Sequence, residues 1–556
     1  MNQADCVLAH PYRRYRFGVG TLILLVEGSA KAGLVVLSDQ FSAPDGISGG
    51  WLNAFSKARF SAFQCFPTRE VTLPIELAHA LRMRNLESIF IFALTLVATL
   101  VVSILGRRHE SRRGQDGLSS QRLNRWLVGL SAGATANSGF VVTGAVGLGY
   151  VGGIKWLFLP IAWLAGDIVF WLIFPGKINR IGAEAKATTL TDLIVFDLPP
   201  EAGRRIKLVI GVILLTCLSG YVSAQWVAGA KFLGGAFGLG GFQALFIFAT
   251  VIVVYSALGG FRGSVYADTF QAVVRIIGTG IAIAAVTWTA YHHRDMFWMN
   301  IHSAGPEFLR PFPANGWWAS AAFLLGFASA ALGFGLGQPQ IVSRYLAGAG
   351  PLETQSAWWI YMGFVQSTWI AMTLFGIALR GVMPGLGDPE TGLSVFHRST
   401  TGPIITGIIA ADIFATISAT ANSILVAMAQ TVRFDLGIRV WAGRRPQPDL
   451  WGPICALGVL TMGASLVLHR SVMDLALSSV SLMGAGLAPP MVVRLLGWRH
   501  TSTSLIVSIA VGSGISALWL AIGLSSWINE SAPGIVLGLF VNYILSRGSD
   551  HNDRVQ

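Results

Sequence analysis

The sequence has little charge. Of its 556 residues only 12% are Asp, Glu, Lys or Arg, 53% are hydrophobic, and the mean hydropathy is +0.60. A soluble globular domain carries about 25% charged residues, so this chain lacks the polar surface of a water-soluble fold. A composition this apolar also excludes extended disorder. Cysteine is scarce too. Cys6, Cys65, Cys217 and Cys455 form neither a CxxC pair nor a metal-ligand spacing, which points away from a disulfide framework or a redox motif. The sequence has no GxxxxGK[ST] run, which argues against an ATP-driven pump, and no HExxH pair. Its single GxGxxG match, Gly147 to Gly152, lies in an apolar run with no strand before it. A non-enzymatic protein without a cofactor is expected.

What the chain has in quantity is apolar length. Runs of about 20 residues, enough to cross a bilayer as helix, recur from 86–106 to 528–546 and number thirteen. The expected fold class is an all-α polytopic membrane protein of about 13 transmembrane helices. The 65 glycines suit helices that approach closely in lipid. Residues 1–82 read differently. Arg13, Arg14 and Arg16 precede a short apolar run, Phe17–Val26, that ends near Glu27 and is too short to cross a bilayer. This tail reads either as a cleaved signal or as sequence ahead of a true start at Met83. Residues 83–556 are then the membrane domain.

The net charge of +12 has a topological explanation. Basic residues collect in alternate loops, among them Arg107, Arg108, Arg112, Arg113, Lys177, Arg180, Arg204, Arg205, Arg433 and Arg444. Cytoplasmic loops carry this bias. It predicts a plasma-membrane protein with its C-terminus in the cytoplasm. The bilayer is the expected partner, and nucleic acid is not.

Two spans are poor helices. The span 125–151 contains Ser131-Ala-Gly-Ala-Thr-Ala-Asn-Ser-Gly139, and the span 317–341 ends in Gly333-Phe-Gly-Leu-Gly-Gln-Pro339, where Pro339 removes a backbone donor. They sit five spans apart, so each opens a five-helix half. Paired broken helices are the sequence mark of a transporter built from inverted repeats, with freed backbone groups facing a cavity at mid-membrane. The halves are expected at about 125–291 and 317–495. Ionisable residues within spans are costly and usually functional. They are Asp167, Asp268, Asp412, Asp474 and Arg275. Asp167 and Asp412 sit deep, which favours an ion or proton role. Asp268 and Arg275 are two helical turns apart, too far for direct contact on a straight helix. The span 402–432 adds Thr416, Ser418, Thr420, Asn422 and Ser423, oxygens suited to an alkali cation.

Several stretches together resemble the sodium/solute symporter family, in particular its sodium/proline branch. They are Tyr255 to Gln271 (YSALGGFRGSVYADTFQ), Ala134 to Phe140, Gly229-Ala-Lys231, Gly337-Gln-Pro339 with Arg344, and Ala419 to Ser423. The resemblance runs from about residue 86 to 546. It implies ten core helices in two inverted repeats, a LeuT-like core, and import of a small organic solute with sodium by alternating access. It places the sodium ligands at the carbonyls of Ala134, Asn137 and Thr416 and at the hydroxyl positions Ala419 and Thr420. Ala419 has no hydroxyl, so Ser418 is the neighbour expected to compensate. Ala136 stands where that branch carries an aspartate. These departures keep a proton as the alternative coupling ion, with Asp268 and Asp412 on the cation path. Ser138, Phe140, Tyr221, Gln225 and Gln338 are the implied solute contacts. Small residues at Ala331 and Gly335 imply a wide cavity with few aromatics. The alternative reading is a transporter-like membrane sensor that acts through a separate partner.

Overall fold

A computed structural model of the chain describes residues 13–17, 21–28, 31–38, 75–111, 122–312, 316–438, 450–467 and 471–552. It separates into two units, residues 1–81 and 82–556. In the first unit, β1 (Arg13–Phe17), β2 (Thr21–Gly28) and β3 (Lys31–Ser38) pair antiparallel in that order. From Thr21 on, the apolar run that is too short to cross a bilayer lies in β2, which pairs with β3. Its register runs from Thr21 opposite Ser38 to Gly28 opposite Lys31.

The second unit is helical. In chain order the helices are α1 (Ile75–Ser111), which begins at the end of the first unit, α2 (Arg125–Ala136), α3 (Val146–Gly152), α4 (Phe158–Ile173), α5 (Pro175–Glu184) and α6 (Leu190–Val195). Then come α7 (Pro200–Phe237), α8 (Gly241–His292), α9 (Arg294–Ser303), α10 (Trp317–Gly337), α11 (Pro339–Leu346), α12 (Pro351–Gln355) and α13 (Trp358–Val382). The chain continues through α14 (Gly392–Thr400), α15 (Pro403–Gln430), α16 (Trp451–Val467), α17 (Val472–Leu495), α18 (Ser502–Ala521) and α19 (Ser531–Asn552).

Among the described residues each expected span falls mainly on helix, with the span 125–151 interrupted after Ala136. The α8 helix has 52 residues, about 78 Å at 1.5 Å per residue. That is more than twice the hydrocarbon thickness of about 30 Å. It therefore serves as two spans, and Gly260, at φ 64° and ψ −172°, makes the bend between them. A side chain is strained at that φ, so glycine is required there.

The polarity runs inside-out relative to a soluble protein. Leu86, Phe90, Leu94, Val97, Val101 and Leu105 stand exposed along α1, as lipid-facing residues do. Buried positions include many polar groups, because the polar side chains of a bundle face its interior. In α15 the most apolar window is 83% buried, against 17% for the window of α1. Thus α15 runs through the centre and α1 lies at the edge. Close helix crossings rely on small residues. A Cβ on Gly376 of α13 would lie 2.1 Å from the carbonyl of Val146 in α3.

One loop helix has a measurable pH signature. His397 of α14 is buried beside the rings of Phe375 and Phe396, and neither ring nitrogen has a hydrogen-bond partner. Burial pushes its pKa down to about 3 from 6.5. The folded chain holds this imidazole neutral, whereas the unfolded chain protonates it below about 6.5. Stability is therefore full above that pH and falls as pH drops towards 3, by about 1.4 kcal/mol per unit. Melting temperature measured against pH should fall less steeply for His397→Leu than for the parent chain.

Candidate functional site

The first broken helix begins normally. The Asn124 side chain caps α2 by accepting from the Leu127 N–H at 2.9 Å. The helix runs through small, weakly helical residues and stops at Asn137, with φ −81° and ψ 70°. Beyond it the Ser138 N–H turns to the Ala136 carbonyl at 3.0 Å, and the Val141 N–H turns to the Ser138 carbonyl at 2.9 Å. The Gly139 N–H donates to Gln225 Oε1 at 2.8 Å. In a continuous helix these three donors would go to the carbonyls of Ala134, Asn137 and Thr135 respectively. The break therefore strips all three oxygens of their helical donors. Glycine is needed at 139 because a Cβ there would sit 2.9 Å from Gln225 Oε1. A π-helical segment, residues 140–145, then leads into α3.

The second break lies between α10 and α11. Gln338 is extended, at φ −90° and ψ 105°, and Pro339 starts the second half-helix. Around the two breaks are buried polar atoms with no hydrogen-bond partner: Asn137 Oδ1, Gln338 Nε2, Gln340 Oε1 and the Tyr221 hydroxyl, which faces Ser138. Buried polar groups are nearly always satisfied, so such a cluster marks a place for a bound solute or water.

Buried aromatic rings pack together beside the first break. Phe140 meets Trp369 edge-on at 5.1 Å between centroids, Trp163 meets Trp369 at 5.5 Å, and Trp163 meets Phe334 at 5.5 Å. The expectation of few aromatics is thus corrected: α4, α13 and Phe334 of α10 supply rings, although Ala331 and Gly335 do not. Gly335 has its own partner, since a Cβ there would lie 2.6 Å from the ring of Phe170. Trp163, Trp369 and Phe334 are not legible as site residues in the sequence, because lone aromatics in an apolar span look like lipid-facing ones.

Opposite the first break stands α15. Thr420 Oγ1 donates to the Thr135 carbonyl at 2.8 Å, which brings the predicted hydroxyl to the freed backbone oxygens. Ala419 is buried and contributes only a methyl group. Ser418 faces α8, where it accepts from Gln271 at 2.8 Å, so it does not join Thr420 at the break. The Thr416 hydroxyl is turned away to the Asp412 carbonyl at 2.9 Å, and its own backbone oxygen is what remains to offer. Gln225 acts mainly as the side chain that fixes Gly139.

Four of the buried charged residues form two separate pairs. Arg344 of α11 donates to Asp268 Oδ2 at 2.9 Å and to the hydroxyls of Ser423 and Ser264 at 2.7 and 3.1 Å. Its Nε donates to Ser131 at 3.2 Å, and Ser131 in turn donates to Asp268 at 2.9 Å. One network so ties α2, α8, α11 and α15 together. Arg275 donates to both oxygens of Asp412, at 3.0 and 2.8 Å, across α8 and α15. Asp268 and Arg275 do not pair with each other, as their spacing requires. The carboxylate of Asp412 is thus already neutralised by a guanidinium.

Both ends of the site are tied. At one end Lys231 bridges Asp388 at 2.8 Å and Glu390 at 2.6 Å, and Glu390 also accepts from the Val472 N–H at 3.3 Å. At the other, Arg125 pairs with Glu353 at 2.7 Å, and the Leu123 N–H donates to the Ala347 carbonyl at 2.8 Å.

Residues 118–512 match the model of the sodium:solute symporter family. The chain belongs to that family. Among curated relatives, the osmoregulated proline transporter OpuE of Bacillus subtilis is 24% identical over 479 residues, covering 83% of this chain and 95% of the relative. The high-affinity proline transporter PutP of Bacillus subtilis is 24% identical over 462 residues, covering 80% and 95%. A Na+-coupled sialic acid symporter, solved with substrate in an outward-open state, superimposes with a TM-score of 0.68 at 16% identity. It covers 83% of this chain and 98% of that one. This symporter is therefore a multi-pass membrane transporter with a LeuT-like core, coupled to sodium and not an enzyme.

Proposed function

We propose that the symporter imports a small amino acid or a similar carboxylate-bearing solute, bound between the two helix breaks. A single sodium ion at the α2 break drives the import. The observation that carries this reading is the pair of carbonyls, Ala134 and Asn137, stripped of helical donors beside the Thr420 hydroxyl. The Thr416 carbonyl is the fourth oxygen of that set, and Ala419 and Ser418 are not part of it. Hard oxygen ligands without thiolates suit an alkali cation.

Phe140, Trp163 and Trp369 give the solute an apolar wall. Ser138, Tyr221 and Gln338 give it neutral polar contacts, and the half-helix that begins at Phe140 points its positive end at a carboxylate. Proline is the first solute to test, because OpuE and PutP are proline transporters. In a bacterial plasma membrane, the charge bias of the loops sets the C-terminus in the cytoplasm.

Sodium and solute need not touch for coupling. A cation that draws α15 to α2 favours the arrangement in which the solute's groups are already placed. Coupling of this kind is worth about 1–3 kcal/mol. Uptake into proteoliposomes, with sodium and proton gradients imposed separately and amino acids, carboxylates and sugars as solutes, tests the reading. Accumulation of an amino acid under a sodium gradient supports it. Accumulation of none of the three classes overturns it.

A further inference from the structure

Asp167 has no role in the sodium or solute site, yet it is buried in the middle of the membrane domain. It lies on α4, 2% exposed, and its Oδ2 has no hydrogen-bond partner. No arginine, lysine or histidine forms an ion pair with it among the described residues. The side chain that faces it is Gln366 of α13, whose Oε1 and Nε2 are also both without partners. Trp171 Nε1, one turn further along α4, is a fourth unpartnered atom. The titratable groups that face Asp167 are Tyr345 of α11 and Tyr361 of α13, neither of which brings positive charge. Arg344, next to Tyr345 in sequence, is committed to Asp268.

A bare carboxylate in such a place is costly, and nothing built into the fold compensates it. We propose that Asp167 and Gln366 form a proton-binding site within the membrane. The proton bonds to a carboxylate oxygen of Asp167, giving a neutral acid. That O–H then donates to Gln366 Oε1, and Gln366 Nε2 donates back to the acid's other oxygen. One proton so satisfies three of the orphaned atoms at once, and no larger ion could. A sodium ion could take the oxygens but would leave the Gln366 Nε2 donor without an acceptor. The site rests on the transport reading only for its use, which is to let a proton gradient act on the same cycle.

Infrared spectroscopy of the full-length chain in lipid nanodiscs at neutral pH, without added solute, tests the proposal. The expected result is the carbonyl stretch of a protonated carboxylic acid that disappears in Asp167→Asn. In Gln366→Leu, which keeps the acid, the band should persist and shift upward, because its O–H has lost an acceptor. This second variant serves if Asp167→Asn does not fold. If neither variant changes the spectrum, the acid is ionised and the proposal is overturned. The measurement needs no transport, so failed sodium-driven uptake would overturn the solute reading and leave the proton site standing.

Discussion

Arg344→Gln should nearly abolish solute uptake and lower the melting temperature sharply. The guanidinium holds Asp268 and the hydroxyls of Ser131, Ser264 and Ser423, which sit on three different helices. Removing one partner of a buried ion pair typically costs about 3–5 kcal/mol, because the other charge is left unpaired. Glutamine restores a donor but no charge, so most of that cost should remain. Asp268→Asn should be milder, since an amide keeps contact with the three serines and leaves an arginine with other acceptors. Uptake rates and thermal unfolding of the two purified variants check the order. Equal, small effects would show that the network is not what holds these helices together.

Arg275 and Asp412 should behave differently. Their pair is also fully buried, but Arg275 Nε and Nη2 have no partners, so its geometry is far from saturated. Buried pairs of this kind are often replaced by apolar residues at little cost, or with a gain of about 1–4 kcal/mol. Arg275→Met and Asp412→Ala should each destabilise by about 3–5 kcal/mol alone. The double variant should recover most of that stability. Alanine also suits the site because Gly278 already packs tightly against Asp412: a Cβ on that glycine would lie 2.4 Å from the aspartate side chain. Thermal unfolding of the three variants decides. A stable double variant that transports normally makes the pair structural. A stable double variant with sodium dependence lost would mean that Thr416, held by Asp412, needs that carboxylate in order to present its own oxygen.

The backbone features of this site are more legible in the sequence than the side-chain partners. The run Ser131 to Gly139 shows a helix that cannot continue, and Pro339 shows the second break, because propensity and a missing donor act locally. Thr420 is legible for the same reason, as a hydroxyl at a fixed offset in a motif. Ser418 misleads because a two-residue step along a helix turns the side chain by about 200°. Only the packing of α15 against α8 tells which face meets the break. The partners of Asp268 and Asp412 lie 76 and 137 residues away in sequence. No local pattern links them. The aromatic wall is hidden likewise, since Trp163 and Trp369 sit in ordinary apolar spans and meet only in the fold.

The sodium site itself can be measured without knowing the solute. Binding of radioactive sodium to the purified protein should be saturable and insensitive to potassium. Thr420→Ala should weaken it by about tenfold, the equivalent of 1.4 kcal/mol for one lost oxygen ligand. Saturable binding that is unchanged in Thr420→Ala, or no sodium binding at all, would contradict a cation held at the α2 break.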